Sequence, residues 1–176
     1  MRGFLIWCLM KNLKAFLLAA GLSGAAITGG LFVAEKEGRV LSTYVDPVGI
    51  TTECFGQRAD GLSPGLERGE AYCLNQLANN LHLFNRQLLR LTAGVQLTEG
   101  EQSAYLSFTY NVGAQAFADS TLRKKILAGD RIGACNELTR WVYAKGVKLS
   151  GLEKRRAAER ALCLRDLTRA TYVSSN

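Results

Sequence analysis

The polarity pattern of this chain changes sharply at residue 35. Residues 15–34, "AFLLAAGLSGAAITGGLFVA", carry no charge. A helix of about 20 residues spans about 30 Å, the thickness of a bilayer core. Eight positions are strongly apolar: Phe16, Leu17, Leu18, Leu22, Ile27, Leu31, Phe32 and Val33. They supply roughly −2 to −5 kcal/mol of insertion energy, from which the small polar residues subtract. The pattern predicts a weak transmembrane segment. Beyond it, residues 39–56 are β-branched and aromatic with turn signals at Asp46-Pro47 and Gly49, which predicts a short irregular β-hairpin. Residues 56–65, "GQRADGLSPG", read as a loop.

The remaining pattern is helical. From Gly69 to about Leu91, Leu74, Leu77, Leu81, Phe84, Leu88 and Leu91 fall on one side. Thr98-x-x-Glu101 is a capping box opening a helix with Tyr105, Phe108 and Tyr110, and Ser150-x-x-Glu153 opens another running to about Asp166. Two shorter helices are expected at Ser120–Ala128 and Arg131–Tyr143, broken at Gly129. Their stripe of Leu122, Ile126, Ile132, Leu138 and Trp141 is expected in the core. A small β element followed by about five helices makes an α+β fold.

Composition refines this picture. With 176 residues, 48% hydrophobic and 21% charged, the chain suits one globular domain with a real core. Of the net charge of +7, Arg2, Lys11 and Lys14 precede the apolar segment, and all 15 acidic residues follow it. By the positive-inside rule the N-terminus stays in the cytoplasm and the rest is exported. A cleaved signal peptide cut after Ala26, at Gly24-Ala25-Ala26, and a permanent anchor both remain open. Gly21, Ala25, Ala26 and Gly30 also offer a small-residue helix contact. The moderate basic excess suits an anionic polymer, or simple solubility. No RNA-binding aromatic motif or zinc-finger spacing is present, so nucleic acid is not an expected partner.

Of five cysteines, Cys54, Cys73, Cys135 and Cys163 follow the apolar segment, an even number suited to disulfides in an oxidising compartment. Of three connectivities, Cys54–Cys73 with Cys135–Cys163 closes the local loops and is the expected one. No CxxC occurs and His82 is the only histidine, expected on a helix surface. That argues against a metal, a Cys/His pair or a Ser-His-Asp triad, and no cofactor is expected.

Glycoside hydrolysis needs two carboxyl groups in different environments, one protonated and one ionised. Glu37 and Asp46 stand nine residues apart, with Thr52 six further on. On composition and spacing alone, solvated surface acids are the better explanation. The wider pattern does more: Glu37-Gly38, then Tyr44-x-Asp46-x-x-Gly49-x-x-Thr52, resembles the signature of phage-type lysozymes, glycoside hydrolase family 24. Cys54-x-Gly56, "YLSFTYNVGAQAFADSTLRKKILAGD" and "GACNELTRWVYAKGVKLSGLEKRRAAERALCL" resemble the lambdoid endolysin subgroup. The likeness covers about residues 37–165, with Thr51 departing from the aromatic residue often found before the threonine. Together with the weak apolar span, the whole resembles signal-anchor-release endolysins.

That resemblance implies a lysozyme-like fold, with a small β-hairpin lobe, a larger helical lobe, a cleft between them and an N-terminal signal-anchor helix. Residues 1–34 would be a cytoplasmic tip and weak anchor, and residues 35–176 the catalytic domain. Glu37 would be the general acid. Asp46 would stabilise the oxocarbenium-like transition state or activate water, and Thr52 would position the water. Glu35, eleven residues from Asp46, would be a bystander. Arg123, Trp141 and the Arg155-Arg156 pair would contact glycan or carboxylates, or serve buried structural roles. The substrate would be the β-1,4 bond between N-acetylmuramic acid and N-acetylglucosamine in peptidoglycan, cut by a monomer that lyses the host. The protein would reach the host periplasm tethered to the inner membrane through residues 15–34. A lytic transglycosylase and a non-catalytic wall-binding protein stay open as alternatives. Since Glu37 lies three residues beyond Ala34, tethering would keep its helix from docking and hold the enzyme off.

Overall fold

The computed structural model describes residues 12–46 and 49–173. The stretch read as one apolar span is here two helices. Residues 12–19 form α1, the chain turns at Gly21 with φ +79°, and Gly24–Glu37 form α2. Ser23 caps α2 by accepting a hydrogen bond from Ala26 N at 3.3 Å. Leu13, Leu17, Leu22, Ala26, Ile27 and Val33 are all buried in the main hydrophobic core. Among the described residues, no helix is long and apolar enough to cross a membrane. Pro47 and Val48, part of the expected turn after Asp46, lie outside the described residues.

The strands β1 (Val40–Val45), β2 (Thr51–Cys54) and β3 (Gln57–Arg58) form an antiparallel sheet in that order. Tyr44 pairs with Thr52, and Glu53 with Gln57. The third strand falls where a loop was expected from Gly56 onward, and two paired residues are too short a run to announce themselves by alternation. Glu53 is buried, 2.5 Å from Arg68 Nε and 2.9 Å from the Tyr72 hydroxyl, which donates to it. The Cys54–Cys73 disulfide joins β2 to α3 (Glu70–Leu91).

The helical lobe is built around α4 (Glu99–Val112), which is buried on nearly every side from Gly100 to Thr109. The capping box forms as its sequence implies: Thr98 N donates to Glu101 Oε2 at 2.8 Å, and Glu101 N donates to Thr98 Oγ1 at 3.3 Å. Around α4 pack α2, α3, α5 (Ala114–Asp119) and α8 (Ser150–Val173). The shorter α6 (Thr121–Leu127) and α7 (Arg131–Glu137) close one end. The second disulfide, Cys135–Cys163, ties α7 to α8. Each bridge closes a loop long enough to contribute about 3 kcal/mol in the chain-entropy view.

Three further expectations are corrected. The helix expected over Arg131–Tyr143 stops at Glu137, and a 3-10 turn over Leu138–Arg140 follows. A hairpin of β4 (Tyr143–Ala144) and β5 (Val147–Lys148) comes next, turning on the left-handed Lys145 and Gly146. Ile132, expected in the core, is 54% exposed, because the disulfide at Cys135 commits the Ala134–Cys135–Leu138 face of this segment inward. His82 is half-buried, its Nε2 lying 2.9 Å from Ala20 O where α1 ends.

Two glycines let α2 lie close to its neighbours. A Cβ on Gly29 would stand 2.9 Å from the backbone oxygen of Ser103, and one on Gly30 would stand 2.5 Å from Leu81 Cδ1. Gly24, in the same helix, has nothing within 4 Å. Gly29→Ala should therefore destabilise the soluble protein by about 1–3 kcal/mol, while Gly24→Ala, with the same gain in hydropathy, should leave it unchanged or slightly firmer. Denaturant unfolding of the purified full chain measures both. Equal midpoints for the two variants would refute close packing as the reason for glycine at residue 29.

Candidate active site

Glu37 is the last residue of α2, and the helix ends there because Gly38 takes φ +72° and returns its N–H to Ala34 O at 3.2 Å. This places the carboxylate at the mouth of the core, with the side chain 20% exposed. Its Oε1 lies 2.5 Å from Arg155 Nη1. Arg155 is itself buried on α8 and fixed on its other edges. Nε donates to Glu159 Oε1 at 3.1 Å, and Nη2 lies 3.3 Å from both Ser107 O and Ser107 Oγ. Ser107 Oγ in turn donates to Glu159 Oε1 at 2.7 Å.

Arg156 completes the cluster. Nη1 donates to Glu159 Oε2 at 2.6 Å, Nη2 to Asn111 Oδ1, and the guanidinium stands 4.9 Å from the Phe108 ring centroid. Burial pulls the Arg156 pKa down to about 10, against the opposing pull of Glu159. Two acids and two arginines thus alternate through the lobe, and Glu37 is the member that meets solvent. Arg155 to Glu159 is an i,i+4 pair and Arg156 to Glu159 an i,i+3 pair, so all three side chains share one face of α8. Glu37, Lys36, Asn111, Leu149, Ser150, Gly151, Leu152 and Arg155 line an open cavity of about 480 Å³.

On the other side Glu37 meets the β lobe. A Cβ at Gly56, in the turn between β2 and β3, would lie 2.7 Å from Glu37 Oε2. Tyr110 comes close enough from α4 to feel the carboxylate. Burial raises its pKa first and the Glu37 charge next, so the phenol stays protonated and can donate.

Asp46 and Thr52 sit in the hairpin. Asp46 is pinned at the turn: its N–H donates to Ile50 O at 2.9 Å, and its Oδ1 accepts from Ile50 N at 2.8 Å. Thr52 is buried on β2, its hydroxyl 3.1 Å from Ile50 O. Thr52 is four residues before Gly56, so hairpin and acid are joined through the β2–β3 turn. Glu35 is exposed and pairs with Lys36 at 2.8 Å. Arg123 is occupied structurally, Nε donating to Leu91 O at 2.8 Å. Half-buried Trp141 sets its ring edge-on to Phe108, 5.1 Å between centroids. Ser107, Asn111 and Glu159 were not singled out from the sequence. The i,i+3/i,i+4 spacing in "RRAAE" was the available signal for Glu159; Ser107 and Asn111 gave none, because only tertiary packing brings α4 beside Arg155.

A family model described as phage lysozyme matches residues 34–159. An SAR-endolysin of Bacteriophage PS119 is 39% identical over 146 residues, covering 83% of this chain and 87% of that protein. Among solved structures, the active form of the P1 phage endolysin Lyz superposes with a TM-score of 0.75 at 23% identity, covering 90% of this chain and 94% of that one. The secreted inactive form of the same P1 protein gives a TM-score of 0.50 at 26% identity, covering 61% of this chain and 76% of that one.

The charge cluster makes a stability prediction. Arg155→Met removes the cation of Glu37 and leaves Glu159 with Arg156 alone, two acids against one arginine, which should cost about 3 kcal/mol in denaturant unfolding. A loss below about 1 kcal/mol would mean that the cluster is screened like a surface pair.

Proposed function

Because the chain belongs to the phage lysozyme family, we propose that it is an endolysin that hydrolyses the β-1,4 bond between N-acetylmuramic acid and N-acetylglucosamine in peptidoglycan and so lyses the host. It acts as a monomer and needs no cofactor. The observation that carries this reading is the setting of Glu37, a carboxyl group paired with Arg155, packed against Gly56 and open to a cavity of about 480 Å³.

In this reading Glu37 delivers its proton to the glycosidic oxygen as the bond breaks. Asp46 faces the oxocarbenium-like sugar, stabilising its charge or taking a proton from the attacking water. Its bonds to Ile50 support that role by fixing the carboxylate to the turn. The hydroxyl of Thr52 already donates to Ile50 O, which leaves its oxygen to accept from a water.

Before lysis the protein is exported to the host periplasm and tethered to the inner membrane through residues 15–34, with the N-terminus in the cytoplasm. The relatives' name, SAR-endolysin, and the weak apolarity of the span support this. A continuous helix through the span would need Gly21 to give up its left-handed turn, and would take Leu17, Leu22, Ile27 and Val33 out of the core. Glu37, last residue of α2, would then be carried away from Arg155. The tethered enzyme is off for that reason, and release assembles the acid.

Three measurements test this. Glu37→Gln should lower wall hydrolysis at least about 100-fold and change stability by no more than about 1 kcal/mol, since a Gln oxygen still accepts from Arg155. Full activity in that variant would sink the assignment. Asp46→Asn should be severely impaired, and mass spectrometry of the digest should find reducing muramic ends; anhydro-muramic ends would establish a transglycosylase instead. The membrane-bound and soluble forms should have the same mass, whereas a soluble form shortened by a segment of the span would mean cleavage.

A further inference from the structure

We infer that Gly56 and Tyr110 are positioning residues for Glu37: the β2–β3 turn, clamped to α4 by the Tyr110 hydroxyl, is the wall on which the second carboxylate oxygen rests. This inference builds on Glu37 as the general acid. One ion pair to Arg155 restrains Oε1 but leaves the carboxylate able to swing about that contact. The second restraint is steric. Oε2 stands 2.7 Å from the place a Cβ of residue 56 would occupy, so only glycine allows the carboxylate to close on the turn.

The turn is built to stay in place. Cys54, Phe55 and Gln57 are buried around Gly56. Cys54 holds a left-handed φ of 57°, unusual for a residue with a side chain, and its disulfide to Cys73 anchors it to α3. Phe55 N donates to Gln57 Oε1 at 2.8 Å, Gln57 Nε2 donates to the Tyr110 oxygen at 2.6 Å, and the Tyr110 hydroxyl donates to Phe55 O at 3.1 Å. These three bonds close a ring around Gly56 and fasten it to α4. The Tyr110 ring is supported by Phe84, 5.4 Å between centroids. The same α4 carries Ser107, which holds Arg155. One helix therefore sets both restraints on the acid, one through Arg155 and the other through the turn.

The test uses the soluble full-length protein and soluble glycan chains prepared from peptidoglycan. Gly56→Ala should lower kcat by roughly ten- to a hundredfold, with KM within about twofold. Gly61→Ala is the control for backbone strain, because Gly61 has φ +81° with nothing within 4 Å of its Cβ position, and it should keep wild-type kcat. Tyr110→Phe keeps the ring against Phe84 while freeing the turn, and should lower kcat severalfold with little change in KM. Glu37→Asp, shorter by one methylene, draws the carboxylate back from residue 56. Its own loss should therefore be smaller in the Gly56→Ala background than in the wild type. Wild-type kcat in both Gly56→Ala and Tyr110→Phe, a change confined to KM, or simple multiplication of the Glu37→Asp and Gly56→Ala losses would each overturn the inference. Failure of the underlying reading looks different: Glu37→Gln would then keep full activity.

Discussion

The contact between Glu37 and Arg155 joins the two ends of the molecule that matter most. Glu37 closes the N-terminal helix pair, and Arg155 begins the buried charge cluster of the C-terminal helix, 118 residues later. Arg155 would be costly to bury alone, and it is satisfied by Glu159, Ser107 and Glu37 together. The position of the acid is thereby tied to the docking of α2, since a helix that fails to dock removes one of the partners of Arg155.

Docking of α2 depends in turn on small residues. Gly29 brings it against the Ser103 backbone, where a Cβ would stand 2.9 Å from the carbonyl oxygen, and Gly30 brings it against the side chains of Leu81 and Leu17, which would have to shift for any larger residue. Ala25 O accepts from Ser103 Oγ at 2.9 Å, and Thr28 donates to Glu99 at 3.1 Å. Gly, Ala, Ser and Thr are the residues that make the segment a poor membrane span, and they are also those that let it nest in a protein interior. Under the proposed tether, weak insertion and close packing are two demands on the same residues and point to one composition.

Much of this was legible in the sequence because it is local. The capping box at Thr98 and the leucine stripe of α3 announce their helices, and loop length alone favoured Cys54–Cys73 and Cys135–Cys163, the bridges seen here. What could not be read depends on tertiary contact. The break at Gly21 competes with an unbroken apolar run, and only the core that receives Leu17 and Leu22 decides for it. The hairpin at Tyr143–Lys148 turns on Lys145, whose left-handed backbone no propensity would assign. In the site, the family pattern, and not spacing alone, marks Glu37, Asp46 and Thr52. Arg155 carries no definite task in the sequence, Glu159 is marked only by its helical spacing to the arginine pair, and Ser107 and the bonds of Tyr110 around Gly56 are invisible there because their partners lie 48 or more residues away.

If docking of α2 assembles the acid, the buried helix α4 should report it. Amide hydrogen exchange can be followed from Gly100 to Thr109 in the membrane-held full chain and in the released soluble form. In the soluble form these amides should be among the slowest to exchange, because α2 covers them; in the membrane-held form, with α2 withdrawn, the same amides should exchange much faster. Equal protection in the two forms would contradict the coupling between anchor, helix and acid.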